Sequence, residues 1–218
     1  MKKLLLACGL FCFLLTGCTK NYSSMDSYIK DMKANKAKYN VFFFEANQET
    51  VEGNLYSRNI FEGDKFRTDY SDDSGYTYKS SIWYDGKDVY EHVEGEETAL
   101  VTNDVDSKTA LNMSEFHTVL NWWEDIESGK VKAKFSNTNY FTSSFDCKLI
   151  EFSDDREICV YEKYGIAVYY KQEPIAQAER RKGEIIDVLN IDAKTQMPPN
   201  ILTLPEHIKK VPKNKDSK

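Results

Sequence analysis

The sequence predicts an α+β protein that is mostly β, built on a large curved antiparallel sheet with one helix at its N-terminal end and a second midway. Three observations support this fold class. A segment with helical spacing opens the body of the chain. Runs rich in aromatic and β-branched residues follow, separated by clusters of Gly, Asp and Asn. One further segment with helical spacing interrupts them. No repeat or low-complexity linker divides the body, so we expect a single domain.

The chain begins like a bacterial secretion signal. Lys2 and Lys3 precede an apolar run that is about 18 Å long as a helix, too short for the ~30 Å core of a membrane. Residues 15–18, Leu-Thr-Gly-Cys, resemble a lipobox, which implies cleavage before Cys18 and its lipidation. An ordinary signal that ends in an unmodified cysteine is the alternative. We expect the following parts: a signal peptide at 1–17, a lipidated cysteine and tether at 18–24, a domain at 25–208 and a basic tail at 209–218.

A lipid anchor predicts where the protein is found. Each buried lipid methylene contributes ~0.8 kcal/mol, so stable anchoring takes more than one acyl chain, and the lipoprotein modification supplies several, palmitate among them. Thr19, and not Asp, follows the cysteine, so the best-known inner-membrane retention signal is absent. We expect a lipid-anchored protein of the cell envelope, in the outer membrane facing the periplasm in preference to the inner membrane.

The net charge and the cysteines indicate which ligands and cross-links the chain can have. Loss of Lys2 and Lys3 with the leader changes the formal net charge from −6 to −8, which argues against a nucleic-acid partner. The basic tail is expected to be a frayed terminus. Cys147 and Cys159 flank a predicted hairpin that turns near residues 154–155, which favours a disulfide worth about 3 kcal/mol. Zinc is the alternative, but no histidine lies nearby.

Two helices are predicted. The first covers residues 24–39, where Met25, Tyr28, Ile29 and Met32 form one apolar stripe. The second covers residues 111–129 and ends at Gly129. Its stripe supplies three candidates for a lid helix: Phe116, Leu120 and Trp123. A plain core helix is the alternative for this segment.

The runs between and after the helices predict about ten strands. An open sheet of this size tends to curl, and its interior is then wider than side chains alone fill. Phe66, Thr68 and Tyr70 share one strand face, as do Tyr78, Ile82 and Tyr84 on the next strand, so the sheet has a preferred apolar side.

In this order the chain resembles the LolA/LolB-like superfamily of lipoprotein carriers, which includes LppX-type lipoproteins. The resemblance covers nearly the whole mature chain. It rests on the helix before "YNVFFFEA", then "GDKFRTDY", "IWYDGKDVYEH" with its Asp-Gly-Lys hairpin, "REICVYEKYGIAVYYKQE" and "DVLNIDAKTQMPPNILTLPEHI". It implies an N-terminal helix and an unclosed half-barrel around an apolar cavity plugged by helices. The family's shuttle is soluble, whereas this chain is expected to be tethered through Cys18.

The resemblance implies that lipid or lipoprotein acyl chains bind inside the half-barrel. The candidate cavity residues are Tyr56, Arg58, Ile60, Phe66, Tyr70, Tyr78, Ile82 and Tyr84. Arg58 is preferred over Arg67 as the internal arginine because it shares its face with Tyr56 and Ile60. The alternative is that these aromatic residues are ordinary strand formers.

Catalytic signals are sparse. His92, His117 and His207 lie in separate segments, and no nucleophile elbow, phosphate loop or zinc-protease motif is present in the sequence. We expect neither an enzyme nor a metal or other cofactor. The leading hypothesis is a membrane-anchored binder of lipid or acyl chains in envelope trafficking. The alternative is an envelope protein-interaction or sensor module with a filled interior and an unknown partner; a tethered hydrolase ranks third.

Overall fold

The computed structural model describes residues 22–50, 53–71, 77–114, 116–142, 144–172, 184–196 and 200–213. The predicted signal peptide and Cys18 lie outside this part of the chain. None of the helices within it has the length and apolar character needed to cross a membrane.

The described residues form four helices and twelve strands. The helices are α1 (Met25–Lys36), α2 (Ser107–Met113), α3 (His117–Leu120) and α4 (Glu124–Glu127). The strands are β1 (Val41–Thr50), β2 (Gly53–Glu62), β3 (Lys65–Ser71), β4 (Ser80–Tyr84), β5 (Val89–Val93), β6 (Thr98–Thr102), β7 (Ala133–Phe141), β8 (Asp146–Phe152), β9 (Arg156–Tyr161), β10 (Ile166–Gln172), β11 (Glu184–Lys194) and β12 (Lys209–Pro212).

All twelve strands belong to one sheet, in the order β12-β6-β5-β4-β3-β2-β1-β11-β10-β9-β8-β7. Every neighbouring pair is antiparallel except β12 and β6, which run parallel. Within the described residues β7 and β12 are the two edges and do not pair with each other, so the sheet stays open. This architecture confirms the predicted fold class, a mostly β half-barrel with helices on one side.

Helix α1 forms where the sequence predicts it. Ser24 caps its N-terminus, accepting a hydrogen bond from the backbone N–H of Ser27, whose side chain returns the interaction. Tyr28, Ile29 and Met32 are buried against the sheet, as the predicted stripe requires. The helix ends with Lys33 and Lys36 in its last turn, where positive charge suits the helix dipole.

The prediction of a single helix over residues 111–129 is wrong. The structure has three short helices in this region, α2, α3 and α4. Ser114 is extended and ends α2. Phe116, Leu120, Trp122 and Trp123 are all buried. In one straight helix Trp122 would lie more than about 100° from the stripe formed by the others and would face solvent. Breaking the helix lets all four side chains reach the core.

The main core lies between the helices and one face of the sheet, which we call the inner face. It holds Phe44, Phe61, Phe66 and Tyr84 from the strands together with Phe116 from the helical region. Phe44 and Phe61 stack with their ring centres 5.7 Å apart, and Phe116 meets Phe44 edge-on at 5.4 Å. The helices therefore fill much of the half-barrel with the protein's own side chains.

A smaller cluster on the opposite, outer face consists of Trp83, Tyr90 and Val101 and is covered by Leu204. The chain then continues into β12, so the prediction of a frayed tail beginning at residue 209 is wrong for its first residues. The backbone N–H of Lys209 donates to Glu97 O at 2.8 Å. This pairing shields the edge of β6, which would otherwise present unpaired backbone groups.

The predicted disulfide is formed. Cys147 on β8 and Cys159 on β9 are bonded, with their Cα atoms 5.5 Å apart. The two strands are joined by a turn in which Asp155 takes a positive φ of 63°. Both half-cystines are buried. Because the two sulfur atoms are bonded to each other, they form a structural cross-link and not the zinc site that was the alternative.

Candidate functional site

The predicted cavity residues do not share one face. The β2–β3 register places Phe61 opposite Phe66 and Asn59 opposite Thr68. Phe66, Tyr70, Ile82 and Tyr84 therefore lie on the inner face. Their predicted partners on β2, namely Tyr56, Arg58 and Ile60, alternate with the inward residues and lie on the outer face. The grouping was wrong because strand parity within β2 carries no information about how β2 is aligned with β3.

Tyr78 also belongs to the outer face, because its ring lies 4.3 Å from the guanidinium of Arg58. Arg58 in turn donates to Asp69 Oδ2 at 3.0 Å, and Arg67 donates to Asp69 Oδ1 at 2.7 Å. Ser81 adds a third hydrogen bond to the same carboxylate at 2.6 Å. Asp69 is 1% exposed. The preferred internal arginine is thus part of an outer-face ion-pair cluster that stabilises the sheet.

On the inner face the middle of the sheet is polar. Asn59 donates to Ser57 Oγ at 2.9 Å and accepts from Thr68 Oγ1 at 2.9 Å. All three residues are fully buried. Buried polar groups require hydrogen-bond partners, and these three side chains find theirs in one another. They also interrupt the apolar inner surface between β1 and β4.

Two of the predicted inner residues, Phe66 and Tyr84, are fully buried under the helical region and offer no free cavity surface. Tyr84 also donates a hydrogen bond to Val105 O at 3.0 Å, and its pKa is raised, first of all by burial. The lid candidates Phe116, Leu120 and Trp123 are buried in the same core. These residues fill the interior of the half-barrel.

The other two, Tyr70 and Ile82, line an open groove on the inner face of β3–β6, which we call the inner-face groove. Its volume is about 320 Å³. Cross-strand register places Ile82 opposite Glu91 and Glu91 opposite Leu100, while Ser80 lies opposite Val93. The lining residues are Tyr70, Ser80, Ser81, Ile82, Glu91, His92, Val93, Glu96, Thr98 and Leu100.

The groove contains apolar side chains that nothing in the described structure covers. Val93 is 51% exposed and Leu100 is 43% exposed, both high values for aliphatic residues on the concave side of a sheet. Leu100 was not predicted because "TALVT" was not recognised as a strand, and Val93, the last residue of the predicted strand run "KDVYEHV", was not identified as inward-facing. The alternation of Ala99 and Val101 with Thr98, Leu100 and Thr102 was the available signal.

A second cavity, which we call the mouth pocket, lies at the opposite end of β3. Its volume is about 500 Å³. The end of α1, the β2–β3 turn and the helical region meet there. Its lining residues are Lys36, Tyr39, Asn40, Phe42, Phe61, Glu62, Gly63, Asp64, Lys65, Leu111, Leu120 and Asn121. Of these residues only Leu120 was predicted as a site residue, because the pocket joins segments that are distant along the chain.

The histidines do not form a catalytic cluster. His92 contacts the backbone oxygen of Glu96 at 3.0 Å, and His117 contacts Glu124 at 3.1 Å. His207 is exposed. In the part of the chain that the structure describes, no three His, Cys, Asp or Glu side chains lie together as metal ligands would.

Comparison with known proteins adds information about the fold. An uncharacterized conserved protein from Thermus thermophilus overlaps 86% of this chain and 98% of its own, with a TM-score of 0.54 and 8% identity. MucB overlaps 86% of this chain and 66% of its own, with a TM-score of 0.47 and 9% identity. The LolA superfamily protein NE2245 from Nitrosomonas europaea overlaps 84% of this chain and 99% of its own, with a TM-score of 0.38 and 9% identity.

The first of these likenesses shows a shared fold, and at 8% identity it shows the fold alone. The neighbours at lower TM-scores include a protein that is named as a LolA superfamily member. No family model matches the sequence, and the comparison with curated proteins finds no match.

Proposed function

We propose that this protein is a lipid-anchored component of a bacterial envelope that binds an acyl chain, from a lipid or from another lipoprotein, in the inner-face groove. The observation that carries the proposal is the pair of exposed aliphatic side chains, Val93 and Leu100, beside Ile82 on the concave side of the sheet. A soluble domain rarely leaves such a surface uncovered unless something binds there.

The size and chemistry of the groove suit part of an acyl chain. Its volume is at the lower end of the ~300–1,000 Å³ range of small-molecule sites. Each methylene removed from water contributes ~0.8 kcal/mol, so a chain that buries six methylenes gains about 5 kcal/mol before the cost of ordering it. Glu91 lies between Ile82 and Leu100 on the inner face, and its carboxylate pairs with Lys213 at 2.6 Å, so its charge is balanced within the groove.

The proposed anchor explains how such a groove would be held near its ligands. Lipidation of Cys18 would keep the groove within a short tether of the membrane surface. Exchanging residues 1–17 for an ordinary cleaved secretion signal, together with Cys18→Ser, should move the protein from the membrane fraction to the soluble fraction. Mass spectrometry of the wild-type N-terminal peptide should show a diacyl or triacyl cysteine. Retention of the variant in the membrane fraction would contradict the anchor.

The groove is tested with an uncharged acyl probe. The chain from residue 18 onward, with Cys18→Ser, contains every residue that the structure describes. It should bind the methyl ester of parinaric acid, a fluorescent acyl chain, and Leu100→Asp should weaken this binding roughly tenfold or more because it buries a charge. Phe141→Asp is the matched control, because Phe141 is 68% exposed on β7 at the far edge of the sheet. Equal affinities for the two variants would refute the groove.

A second candidate function is an envelope protein-interaction or sensor module. The filled interior beneath α2–α4 favours it, since the core there leaves no room for a whole lipid. Organic-solvent extraction of periplasmically expressed protein distinguishes the two candidates. Stoichiometric lipid in the extract supports the acyl-binding function, whereas a clean extract together with no probe binding supports the second.

A further inference from the structure

We infer that the mouth pocket is a separate binding site for an amphiphile with one carboxylate, and that Lys36 is the residue that receives this carboxylate. The pocket is independent of the inner-face groove. It surrounds the β2–β3 turn at one end of β3, whereas the groove begins at Tyr70 near the other end. Nothing in this inference depends on acyl binding in the groove.

The environment of Lys36 points to an anionic ligand. Its ammonium donates to Leu120 O at 2.9 Å and to Asn121 Oδ1 at 2.6 Å, and both acceptors are neutral. An ammonium has three N–H donors. No carboxylate among the described residues pairs with it. Lys33, one turn earlier on α1, differs because it pairs with Glu127 at 2.6 Å. The face of the Trp123 ring lies 5.3 Å from the ammonium, and Glu124 acts on it without forming an ion pair, so Lys36 carries into the pocket a charge that no carboxylate contact neutralises.

The charges of the lining favour a monoanion. Lys36 and Lys65 are balanced in number by Glu62 and Asp64. A carboxylate bound at Lys36 adds one negative charge, whereas a phosphate dianion would add two beside the existing carboxylates. The head group that fits is therefore a single carboxylate, with an ammonium–carboxylate hydrogen bond that is stronger than a neutral one.

The remaining lining favours an apolar body attached to that carboxylate. The partly buried side chains of Tyr39 and Leu111 supply the apolar side of the pocket, and the almost fully buried Phe42, Phe61 and Leu120 form its floor. Tyr39 is held by edge-on contact with Tyr164 at 5.1 Å. A medium-chain fatty acid or another apolar organic acid satisfies both halves of the pocket.

Titration of Lys36 supports the same assignment. Burial lowers the pKa of Lys36 to about 8, although the carboxylate of Glu124 acts in the opposite direction. The amine is thus largely protonated at pH 7 and loses its proton readily above pH 8, while a bound carboxylate would stabilise the charged form. The other charged or titratable groups around it are Lys33, Tyr39, Glu62, Asp64, Lys65, His117 and Glu127.

The test is calorimetric titration of the Cys18→Ser chain from residue 18 onward with sodium decanoate and, separately, with 1-decanol at pH 7. Decanoate should bind roughly tenfold more tightly than the alcohol, an ordinary contribution for a charge-assisted hydrogen bond. Lys36→Met should abolish this preference and Lys36→Arg should largely retain it. Lys33→Met is the matched control on the same helix and should behave like the wild type.

Two further measurements separate this site from the groove and from a folding defect. Leu100→Asp should leave the preference for decanoate intact, even if that variant shows the groove to be real. The wild-type preference should fall several-fold between pH 7 and pH 9.5 as Lys36 deprotonates, with no substitution required. An unchanged preference in Lys36→Met, or equal binding of acid and alcohol by the wild type, overturns the inference.

Discussion

Gly165 lies directly against the backbone of Met32, so that the β9–β10 turn touches helix α1 with no side chain between them. A Cβ on Gly165 would overlap the carbonyl oxygen of Met32 and come within 2.9 Å of its carbonyl carbon. The carbonyl of Gly165 accepts a hydrogen bond from Trp122 Nε1 at 3.2 Å. One glycine therefore joins the sheet, α1 and the helical region that fills the half-barrel.

We predict that Gly165→Ala lowers the free energy of unfolding by about 3 kcal/mol, because it combines a positive φ of 72° with a backbone clash. Gly129→Ala is the matched control, since Gly129 has a φ of 71° and a Cβ added there would meet nothing within 4 Å. The control should cost only about 1 kcal/mol. Urea unfolding measures both, and equal losses would show that the contact with Met32 is unimportant.

The disulfide should make a measurable contribution to stability. Cys147 and Cys159 close a short loop, and its cross-link should contribute about 3 kcal/mol, chiefly by restricting the unfolded chain. We expect reduction of the wild type and the Cys147→Ala/Cys159→Ala variant to lower the urea midpoint by similar amounts. Thiol titration of the unfolded, unreduced chain from residue 18 onward, with Cys18→Ser, should find no free thiol. Two free thiols in that experiment would contradict the bond.

Asp69 should be the most sensitive residue of the outer-face cluster. Its side chain is 2% exposed and takes hydrogen bonds from Arg58, Arg67 and Ser81. Asp69→Ala should lower the free energy of unfolding by about 3 kcal/mol because it leaves positive charge without its partner. Asp192→Ala removes an exposed pair with Lys194 and should cost less than about 1 kcal/mol. Thermal melts that shift equally for both would count against the cluster's role.

Lys36 should make stability depend on pH in the alkaline range. Its pKa is about 8 in the folded protein and 10.5 as an ordinary lysine, so between these values the unfolded state binds more protons. The free energy of unfolding of the wild type, measured relative to Lys36→Met, should therefore rise by about 3 kcal/mol from pH 8 to pH 10.5. The difference between the two proteins cancels most other titrating groups. A flat difference would mean that Lys36 is solvated, and a difference that falls with pH would mean that the fold stabilises its charged form.

Local features could be predicted from the sequence because short segments decide them. The capped helix α1 depends on Ser24 and on a stripe within twelve residues. The disulfide depends on one hairpin. The region α2–α4 shows the limit of such reasoning: the stripe of Phe116 and Leu120 predicts a helix, but burial of Trp122 against Gly165 breaks it. That contact joins residues 43 apart in the sequence.

By itself, the sequence determined the N-terminal helix α1, the open mostly β fold and the cross-linked hairpin, since periodicity and turn residues act over a few positions. Only the tertiary structure decided which strand face is concave, because alternation is symmetric until register with a neighbouring strand is established. It moved Arg58 to the outer face and left Leu100 exposed on the inner one. It also brought Lys36 beside Asn121, a desolvated arrangement that depends on the packing of segments far apart in the chain.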